Sequence, residues 1–214
     1  KSNIGGLLNL LSAMKTAGVK KLVFSSSAAV YGMPDVEQVT EDSATNPINP
    51  YGQTKLVGEW MIDNAKIWGL SAVSLRYFNV AGTGWPDLAD KQALNLIPIA
   101  ISKIKDGQPV SVFGDDYQTQ DGSCIRDYIH VMDLARAHID AIPYLSTPGN
   151  AIFNVGTGEG SSVFEVLSEL KKVSGIDFKL DITKRRAGDP PKLIASSAKI
   201  QKALGWSAEF GLEE

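Results

Sequence analysis

The sequence predicts an α/β protein built on a doubly wound parallel β-sheet with a smaller interleaved α/β unit. Short apolar runs typical of buried strands alternate with longer segments of helical periodicity, as in βαβ units. Hydroxyl residues follow the first apolar run, where a parallel sheet would present its carboxyl edge. The 214 residues are 43% hydrophobic, which is enough to bury a sizeable core.

The first part of the chain supplies most of the alternating pattern. The predicted elements are a helix 2–17, a strand 20–25, a loop 31–49, a helix 51–68 and a strand 71–78. Apolar residues recur at helical spacing in the first helix, namely Leu7, Leu8, Leu11 and Met14. Two X-Pro steps end the loop at Pro50, and because such steps favour extended or turn backbone, they predict that Tyr51 lies at a helix start.

The pattern is less regular after Gly82. The predicted elements there are a helix 91–105, short strands 111–113 and 125–129, a helix 131–143, a strand 152–155 and a helix 162–174. The strand 152–155 returns the chain to the first sheet, so the two units are expected to interleave.

Composition argues against several function classes. A net charge of −3 without a long basic run gives no support for nucleic-acid binding, and no apolar stretch is long enough to span a bilayer. The single cysteine, Cys124, cannot form an intrachain disulfide, and no secretory leader pattern opens the sequence. His130 and His138 have no companion cysteines, so we expect structural roles and no metal. A cytoplasmic location follows as an expectation.

Tyr51 and Lys55 form the most informative pair of residues. At positions i and i+4 they lie on one helix face. A phenol titrates near ~10 and is a poor base at neutral pH, but a neighbouring cation lowers that value. The pair alone is also compatible with an amphipathic helix that carries two exposed polar residues. Lys20–Ser27 supplies context, because a predicted strand there runs into three serines.

The turn Gly156–Gly160 superficially suggests a phosphate-binding loop between a strand and a helix. The dinucleotide fingerprint requires glycine at the first, third and sixth positions, and the sixth position here is Ser161. Glu159 would also place negative charge beside a pyrophosphate. We therefore interpret this segment as a structural turn, with glycine allowing positive φ and Ser161 or Ser162 capping the helix.

Six ordered blocks spanning nearly the whole chain resemble the extended short-chain dehydrogenase/reductase family, and within it the nucleotide-sugar 4-epimerases that act on UDP-hexoses. The blocks are Phe24-Ser-Ser-Ser-Ala-Ala-Val-Tyr-Gly32, Pro50-Tyr-Gly-Gln-Thr-Lys55, Leu75-Arg-Tyr-Phe-Asn79, Val112-Phe-Gly114, Arg126-Asp-Tyr-Ile-His-Val-Met-Asp133 and Arg185-Arg-Ala-Gly-Asp189.

The resemblance implies a partial Rossmann-like domain, formed by residues 1–80 and 131–177, and a UDP-sugar-binding domain, formed by residues 81–130 and 178–214. It also implies tightly bound NAD. The family begins with a strand and a Gly-rich turn that hold the cofactor pyrophosphate, and nothing before Ser25 matches them. We therefore expect this element to precede Lys1, and the 214 residues alone to be inactive, weak in NAD binding and poorly soluble.

The resemblance also implies the chemistry. Hydride leaves C4 of the sugar for NAD⁺ while a base takes the hydroxyl proton, and return of the hydride to the other face of the 4-keto sugar inverts C4. Tyr51 would be the acid/base, Lys55 would hold the nicotinamide ribose and lower the pKa of Tyr51, and Ser27 would bridge the tyrosine and the sugar hydroxyl. Related sugar 4,6-dehydratases carry an Asp-Glu pair after the hydroxyl residue, where this chain has Ala28 and Ala29, so dehydration is disfavoured.

The remaining site residues follow from the same resemblance. Beside NAD it implies Asn3 and Phe78, in addition to Ser27, Tyr51 and Lys55. Toward the UDP-sugar it implies Ser27, Tyr51, Asn79, Asn95, Leu96, Ser111, Val112, Phe113, Arg126, Arg186, Asp189 and Leu193. Arginine suits a diphosphate because its planar fork matches phosphate oxygens. Leu193 stands where the family has a gate beside the sugar 2-substituent. Without the bulk of a tyrosine there, N-acetylated hexoses are expected to fit.

Three interpretations stay open on the sequence. The first is a UDP-glucose/UDP-galactose epimerase that forms a homodimer as a full-length protein. The second is a related epimerase for a UDP-N-acetylhexosamine, UDP-uronate or UDP-pentose. The third is a non-enzymatic regulator that senses a dinucleotide, which loss of Tyr51 or Lys55 would have favoured.

Overall fold

The computed structural model describes residues 2–214 and confirms the α/β class. The helices are α1 (Ser2–Ala17), α2 (Pro50–Ala65), α3 (Leu96–Lys105), α4 (Val131–Tyr144), α5 (Val163–Ser174) and α6 (Ala198–Leu204). The strands are β1 (Lys21–Ser25), β2 (Ser71–Tyr77), β3 (Asn79–Ala81), β4 (Val110–Phe113), β5 (Ile125–Arg126), β6 (Tyr128–His130), β7 (Asn150–Val155), β8 (Ser161–Ser162), β9 (Leu180–Thr183) and β10 (Lys192–Leu193).

The main sheet contains three parallel strands in the order β1-β2-β7. Lys21 pairs with Ser71, and Ala72 pairs with Asn150. All three strands therefore run in one direction and end at the same edge. In open parallel sheets ligands bind at this carboxyl edge. The candidate ligand-binding residues are therefore those that follow Ser25, Tyr77 and Val155.

Two apolar clusters cover the faces of the main sheet. One joins β2 and β7 to α4 and includes Ile200 and Trp206 from the α6 region. The other joins α1, α2 and the start of β2 around Leu11 and Ile62. Because both faces are covered, β2 is buried along nearly its whole length, as a central parallel strand requires.

A second unit is built on the parallel pair of β4 and β9. Val110 and Val112 point into an apolar cluster that also contains Leu167 of α5 and Phe178. Thus α5, predicted as part of the NAD unit, packs on the second unit. Helix α6, which was not predicted, lies within the residues assigned to the UDP-sugar unit but packs on the main sheet. The division into two units at residues 80, 130 and 177 stays a prediction. These contacts favour assigning α5 to the second unit and α6 to the unit of the main sheet.

Element bounds differ most from the sequence prediction at two places. The helix predicted over 91–105 begins at Leu96, because Asn95 is extended and Ala93 has a positive φ of 49°. The strand predicted over 125–129 is divided at Asp127, where β5 pairs with β8 and β10 while β6 pairs with β3.

Within residues 2–214, helices of the length and apolar character needed to cross a membrane are absent.

Candidate active site

The N-terminus of α2 lies directly against the segment that follows β1. Asn49 is the extended N-cap residue, and its Oδ1 accepts a hydrogen bond from the Gly52 amide at 2.8 Å. A Cβ at Gly52 would lie only 2.4 Å from the Ala29 carbonyl oxygen, so only glycine permits this close approach. The helix start that carries Tyr51 is thereby held beside Ser27.

Lys55 joins α2 to the end of β1. Its Nζ donates a hydrogen bond to the Ser25 carbonyl oxygen at 2.8 Å. The same nitrogen lies 5.4 Å from the centre of the Phe24 ring and 5.5 Å from the centre of the Tyr51 ring. Burial lowers the pKa of Lys55, because a half-buried ammonium loses hydration.

Tyr51 and Ser27 complete the predicted catalytic group. Ser27 is buried, and its Oγ accepts a hydrogen bond from the Ala29 amide at 3.2 Å, which caps a short 3-10 turn at Ala28–Val30. The local backbone bond is thus present, and the Ser27 hydroxyl also acts on the Tyr51 phenol by lowering its pKa. The phenol is about half exposed, since Tyr51 retains 48% of its accessible surface.

The pKa of Tyr51 does not follow the sequence prediction. Partial burial raises it, the neighbouring Tyr77 raises it further, and hydrogen bonding with Ser27 opposes both effects. The expected lowering by Lys55 is therefore wrong for this structure. The physical reason is that the Lys55 ammonium is bonded to the Ser25 carbonyl oxygen, while the phenol loses hydration.

The two remaining residues predicted beside the cofactor contact different parts of this group. Asn3 is exposed on α1, and its Nδ2 donates to the Thr54 hydroxyl at 2.9 Å, which in turn donates to the Tyr51 carbonyl oxygen at 2.8 Å. Phe78 is buried in a cluster with Ala28. Asn3 thus contacts the first turn of α2, and Phe78 belongs to the packing next to Ser27.

A second polar group brings together five residues predicted to bind the UDP-sugar. Arg126 is buried and forms an ion pair with Asp189, with 3.4 Å between Nη2 and Oδ1. The Asp189 amide donates to the Arg186 carbonyl oxygen at 3.3 Å, and the Arg186 guanidinium lies 3.7 Å from the centre of the Phe113 ring. Leu193 pairs with Arg126 across β10 and β5 and packs against the cluster that contains Phe78.

The other predicted binding residues lie on three elements. Asn79 begins β3, and its amide donates to the Asp127 carbonyl oxygen at 2.9 Å. Asn95 occupies the N-cap position of α3 without a capping hydrogen bond from its side chain, and Leu96 is the first residue of the helix. On β4, Ser111 is partly exposed, whereas the Val112 side chain is buried in the core of the second unit. Val112 can therefore contact a ligand only through its backbone.

The Gly156–Gly160 turn is confirmed as structural, because the chain fills it with its own carboxylate. Asp127 Oδ1 accepts from the Thr157 amide and hydroxyl, both at 2.8 Å, and Oδ2 accepts from the Gly158 amide at 3.0 Å and the Ala195 amide at 3.1 Å. Burial raises the pKa of Asp127, and these donors oppose the rise. Gly158 has a positive φ of 81°, and Ser162 caps α5 in a reciprocal capping box with Glu165.

Sequence reasoning missed two sets of polar contacts near the site. One is a fully buried network around Glu59 and Arg76. The other is His138, whose Nδ1 donates to the Leu134 carbonyl oxygen at 2.9 Å and whose Nε2 lies 3.2 Å from the Ser25 hydroxyl oxygen. Arg76 stands inside an apolar strand, and a buried charge requires a partner. That signal was readable in the sequence, although the identity of the partner was not.

This fold and site place the chain in the NAD dependent epimerase/dehydratase family, whose model matches residues 1–156. Within that family the chain is similar to UDP-glucose 4-epimerases. The enzyme of that name from Corynebacterium glutamicum is 44% identical over 97% of this chain and 64% of its own length. The chain spans less than two thirds of the length of the first curated relatives it matches.

Solved structures give the same result. A UDP-glucose-4-epimerase from Stenotrophomonas maltophila, with bound NAD and formylated UDP-arabinopyranose, superposes with a TM-score of 0.92 at 40% identity, covering 99% of this chain and 66% of the other. The UDP-Glc/GlcNAc 4-epimerase of Campylobacter jejuni superposes with a TM-score of 0.82 at 42% identity, covering 99% and 66%. The Rossmann-like character of the predicted fold is thereby confirmed.

Proposed function

We propose that this chain belongs to an NAD-dependent enzyme that inverts C4 of a UDP-hexose, interconverting UDP-glucose and UDP-galactose through a 4-keto sugar. The observation that carries the proposal is the convergence of Tyr51, Lys55 and Ser27 at the carboxyl end of β1, with Tyr51 half exposed. An acid/base group, a cation and a hydroxyl beside an accessible surface are what alcohol oxidation requires.

The donor set fits NAD, because an accessible phenol, an ammonium and a hydroxyl lie together at a strand end. Lys55 and Asn3 would hold the cofactor, and Phe78 would pack near it. When bound, NAD supplies the acceptor and the donor of the C4 hydride.

Tyr51 carries the proton chemistry in this proposal. It takes the C4 hydroxyl proton as the C4–O bond becomes a carbonyl, and it returns that proton when C4 is reduced on its other face. Ser27 donates to or accepts from both oxygens, so it orients the sugar hydroxyl toward the phenol. A phenol whose pKa is raised by burial holds its proton at neutral pH. When NAD⁺ is bound, the positive charge of its nicotinamide would favour the phenolate.

The UDP-sugar would lie along the second polar group. Arg126 and Arg186 suit the diphosphate, because guanidinium groups pair with phosphate oxygens through two donors. Phe113 offers an aromatic face for the uracil. Asp189 already orients Arg126 through the ion pair. The remaining contacts proposed are Asn79, Asn95, Leu96, Ser111 and the Val112 backbone, with Leu193 beside the sugar 2-substituent.

Two competing activities are less well supported. A dehydratase needs an additional acid and base after the serine, and the buried Ala28 and the partly buried Ala29 provide neither. A non-enzymatic dinucleotide sensor would not need the Tyr51–Lys55 pair. Epimerases for UDP-uronates, UDP-pentoses or UDP-N-acetylhexosamines share the same catalytic group, and the structure of the Campylobacter jejuni relative is named for both UDP-Glc and UDP-GlcNAc.

The direct test uses the complete gene product that contains this chain, incubated with UDP-galactose. We expect UDP-glucose as product by chromatography and NAD released from the denatured protein. Lys55→Ala should lower both kcat and the amount of NAD that co-purifies. Lys66→Ala is the matched control, because Lys66 is exposed on the turn after α2 and pairs only locally with Asp63. A product lighter by one water would instead identify a dehydratase, and unaltered substrate with bound NAD would identify a sensor.

We also propose that the full-length protein forms a homodimer through α1 and α2. Ile4 and Leu8 on α1 are exposed, as is Trp60 on α2, which retains 58% of its accessible surface. Large exposed apolar patches mark association sites in soluble proteins. Sedimentation velocity should give a dimer that Trp60→Glu converts to monomer.

A cytosolic location stays a prediction, supported by a single buried cysteine.

A further inference from the structure

A buried polar network lies behind Ser27 and takes no part in the proposed chemistry. Arg76, near the end of β2, donates from Nε and Nη2 to the two oxygens of Glu59 at 2.9 and 2.7 Å. The two side chains are only 4% and 5% exposed. Burial disfavours the charged form of Arg76, but Glu59 and Tyr31 outweigh it and hold its pKa above the ordinary value. Arg76 is therefore charged, and its contact with Glu59 is bidentate.

One end of the network holds the residue directly before Ser27. Ser26 is fully buried, and its hydroxyl donates to Glu59 Oε1 at 2.5 Å. Its amide donates to the Leu75 carbonyl oxygen at 2.8 Å, which extends the pairing of β1 with β2 by one step. Both the backbone and the side chain of Ser26 are thus fixed.

The other end holds the segment after Ser27. Arg76 Nη1 donates to the Tyr31 hydroxyl at 3.0 Å, and that hydroxyl donates to Asn154 Oδ1 at 2.6 Å. Tyr31 and Asn154 are both almost completely buried. Asn154 is also the neighbour of Arg76 across β2 and β7. Ser27 therefore lies between two residues that the same arginine–carboxylate pair anchors.

Glu59 connects this anchor to the catalytic helix. It lies on α2 one turn beyond Lys55 and two turns beyond Tyr51, so the three share roughly one face. We propose that the network of Ser26, Glu59, Arg76 and Tyr31 is a positioning device that sets the geometry between Ser27 and Tyr51. This inference rests on the proposed function for the meaning of that geometry.

The energetics of buried ion pairs support a positional role. Replacing such a pair by apolar residues of the same volume is often neutral or stabilising, so an arginine–glutamate pair is not needed to hold a core together. It does fix the relative positions of the elements it joins, here β1, β2, β7 and α2. A misplacement of about 1 Å in a catalytic group can lower a rate about 100-fold.

The test cuts the link to Ser27 without breaking the ion pair. Ser26→Ala removes one hydroxyl and leaves Glu59 and Arg76 joined, whereas Glu59→Gln would leave a buried arginine without its counter-charge. Tyr31→Phe cuts the other end and serves as a second variant. Ser74→Ala is the matched control, because Ser74 is a buried serine on β2 outside the network. Thermal unfolding confirms that each variant is folded.

The first measurement is the titration of Tyr51 by NMR in the complete protein labelled with [ζ-¹³C]tyrosine, with the resonance assigned by Tyr51→Phe. Interaction with Ser27 lowers the pKa of Tyr51, while burial and Tyr77 raise it. Lys55 and Tyr77 are unchanged in every variant. Ser26→Ala should therefore move the titration to higher pH, in the same direction as Ser27→Ala, and Ser74→Ala should not move it.

The second measurement is turnover. Ser26→Ala should lower kcat about 10- to 100-fold with KM for UDP-galactose within about twofold. A Ser26→Ala protein that titrates and turns over like wild type would overturn the positioning role. If wild type fails to convert UDP-galactose, the proposed function fails separately, and a Tyr51 titration that still responds to Ser26→Ala continues to support the positioning device.

Discussion

Two junctions at the same edge of the main sheet treat their polar groups in opposite ways. At the first, β1 ends in Ser25–Ser27 beside the start of α2, and the Tyr51 phenol stays about half exposed. At the second, β7 ends in the Gly156–Gly160 turn before α5, and the turn amides are bonded to Asp127 while Ser162 and Glu165 cap the helix. The first junction is open to a ligand and the second is closed by the chain itself.

The comparison shows that a strand–turn–helix pattern does not define a binding site. Glycine-rich turns and helix starts expose amides that attract anions. Whether a ligand can use them depends on whether a side chain from elsewhere already does. Asp127 comes from the bend between β5 and β6, so the closing group is distant in sequence from the turn it closes.

The largest expected effect is a loss of kcat when the open junction is altered at Tyr51. Tyr51→Phe removes the proposed acid/base and should lower kcat by about 10²- to 10⁴-fold, with little change in the free energy of unfolding because the phenol is half exposed. Steady-state kinetics and urea unfolding of the complete protein measure both quantities. Tyr144→Phe, at a partly buried position that packs on the core next to Phe153, is the control, and comparable losses of kcat in both variants would contradict the assignment.

The second effect appears in stability at the closed junction. In wild type the Asp127 carboxylate accepts hydrogen bonds from backbone N–H groups, and Asp127→Asn replaces one of its oxygens with an NH₂ group that cannot accept them. Each buried donor left without a partner costs about 1–3 kcal/mol. We expect the urea midpoint to fall accordingly, with a much smaller change in kcat than Tyr51→Phe causes. Asp87→Asn, on an exposed turn, controls for loss of charge. An unchanged midpoint would show that the turn does not depend on Asp127.

The third effect concerns substrate specificity at Leu193, close to the segment that Asp127 holds at the closed junction. Leu193 lies two residues before Ala195, whose amide Asp127 holds, so the wall beside the proposed sugar site is fixed in place. Leu193→Tyr should lower the ratio of kcat/KM for UDP-GlcNAc to kcat/KM for UDP-glucose. The expected change corresponds to about 1–3 kcal/mol of discrimination between the two substrates. Leu88→Tyr, at an exposed position, should leave the ratio unaltered. A wild type that does not convert UDP-GlcNAc would remove Leu193 as a determinant of specificity.

The smallest effect concerns the cap of α5. Ser162→Ala removes an N-cap acceptor and should cost about 1 kcal/mol of unfolding free energy without loss of turnover. Ser168→Ala, exposed within the same helix, should be neutral or slightly stabilising because alanine favours helix. A large loss of kcat in Ser162→Ala would mean that the closed junction participates in the chemistry.

Periodicity and turn chemistry were enough to predict the alternating helices, the parallel sheet and the structural turn at Gly156. The start of α2 was also predictable, because Asn49 and Pro50 are local signals. Contacts that depend on tertiary structure were not. The Lys55 ammonium bonds to the Ser25 carbonyl oxygen, and the partner of Arg76 comes from α2. The short strands β3, β8, β9 and β10 were missed because two to four residues carry no clear period.

The sheet topology also has a consequence for folding. Lys21 pairs with Ser71, Ala72 with Asn150, and Val110 with Leu180, all in parallel register. Each of these strand pairings closes a long loop of the chain. The conformational entropy of that loop is lost before the contacts between the strands can stabilise the pairing. None of them can be nucleated by a tight hairpin. The chain is therefore expected to fold slowly, and the main sheet can be completed only after β7 has left the ribosome.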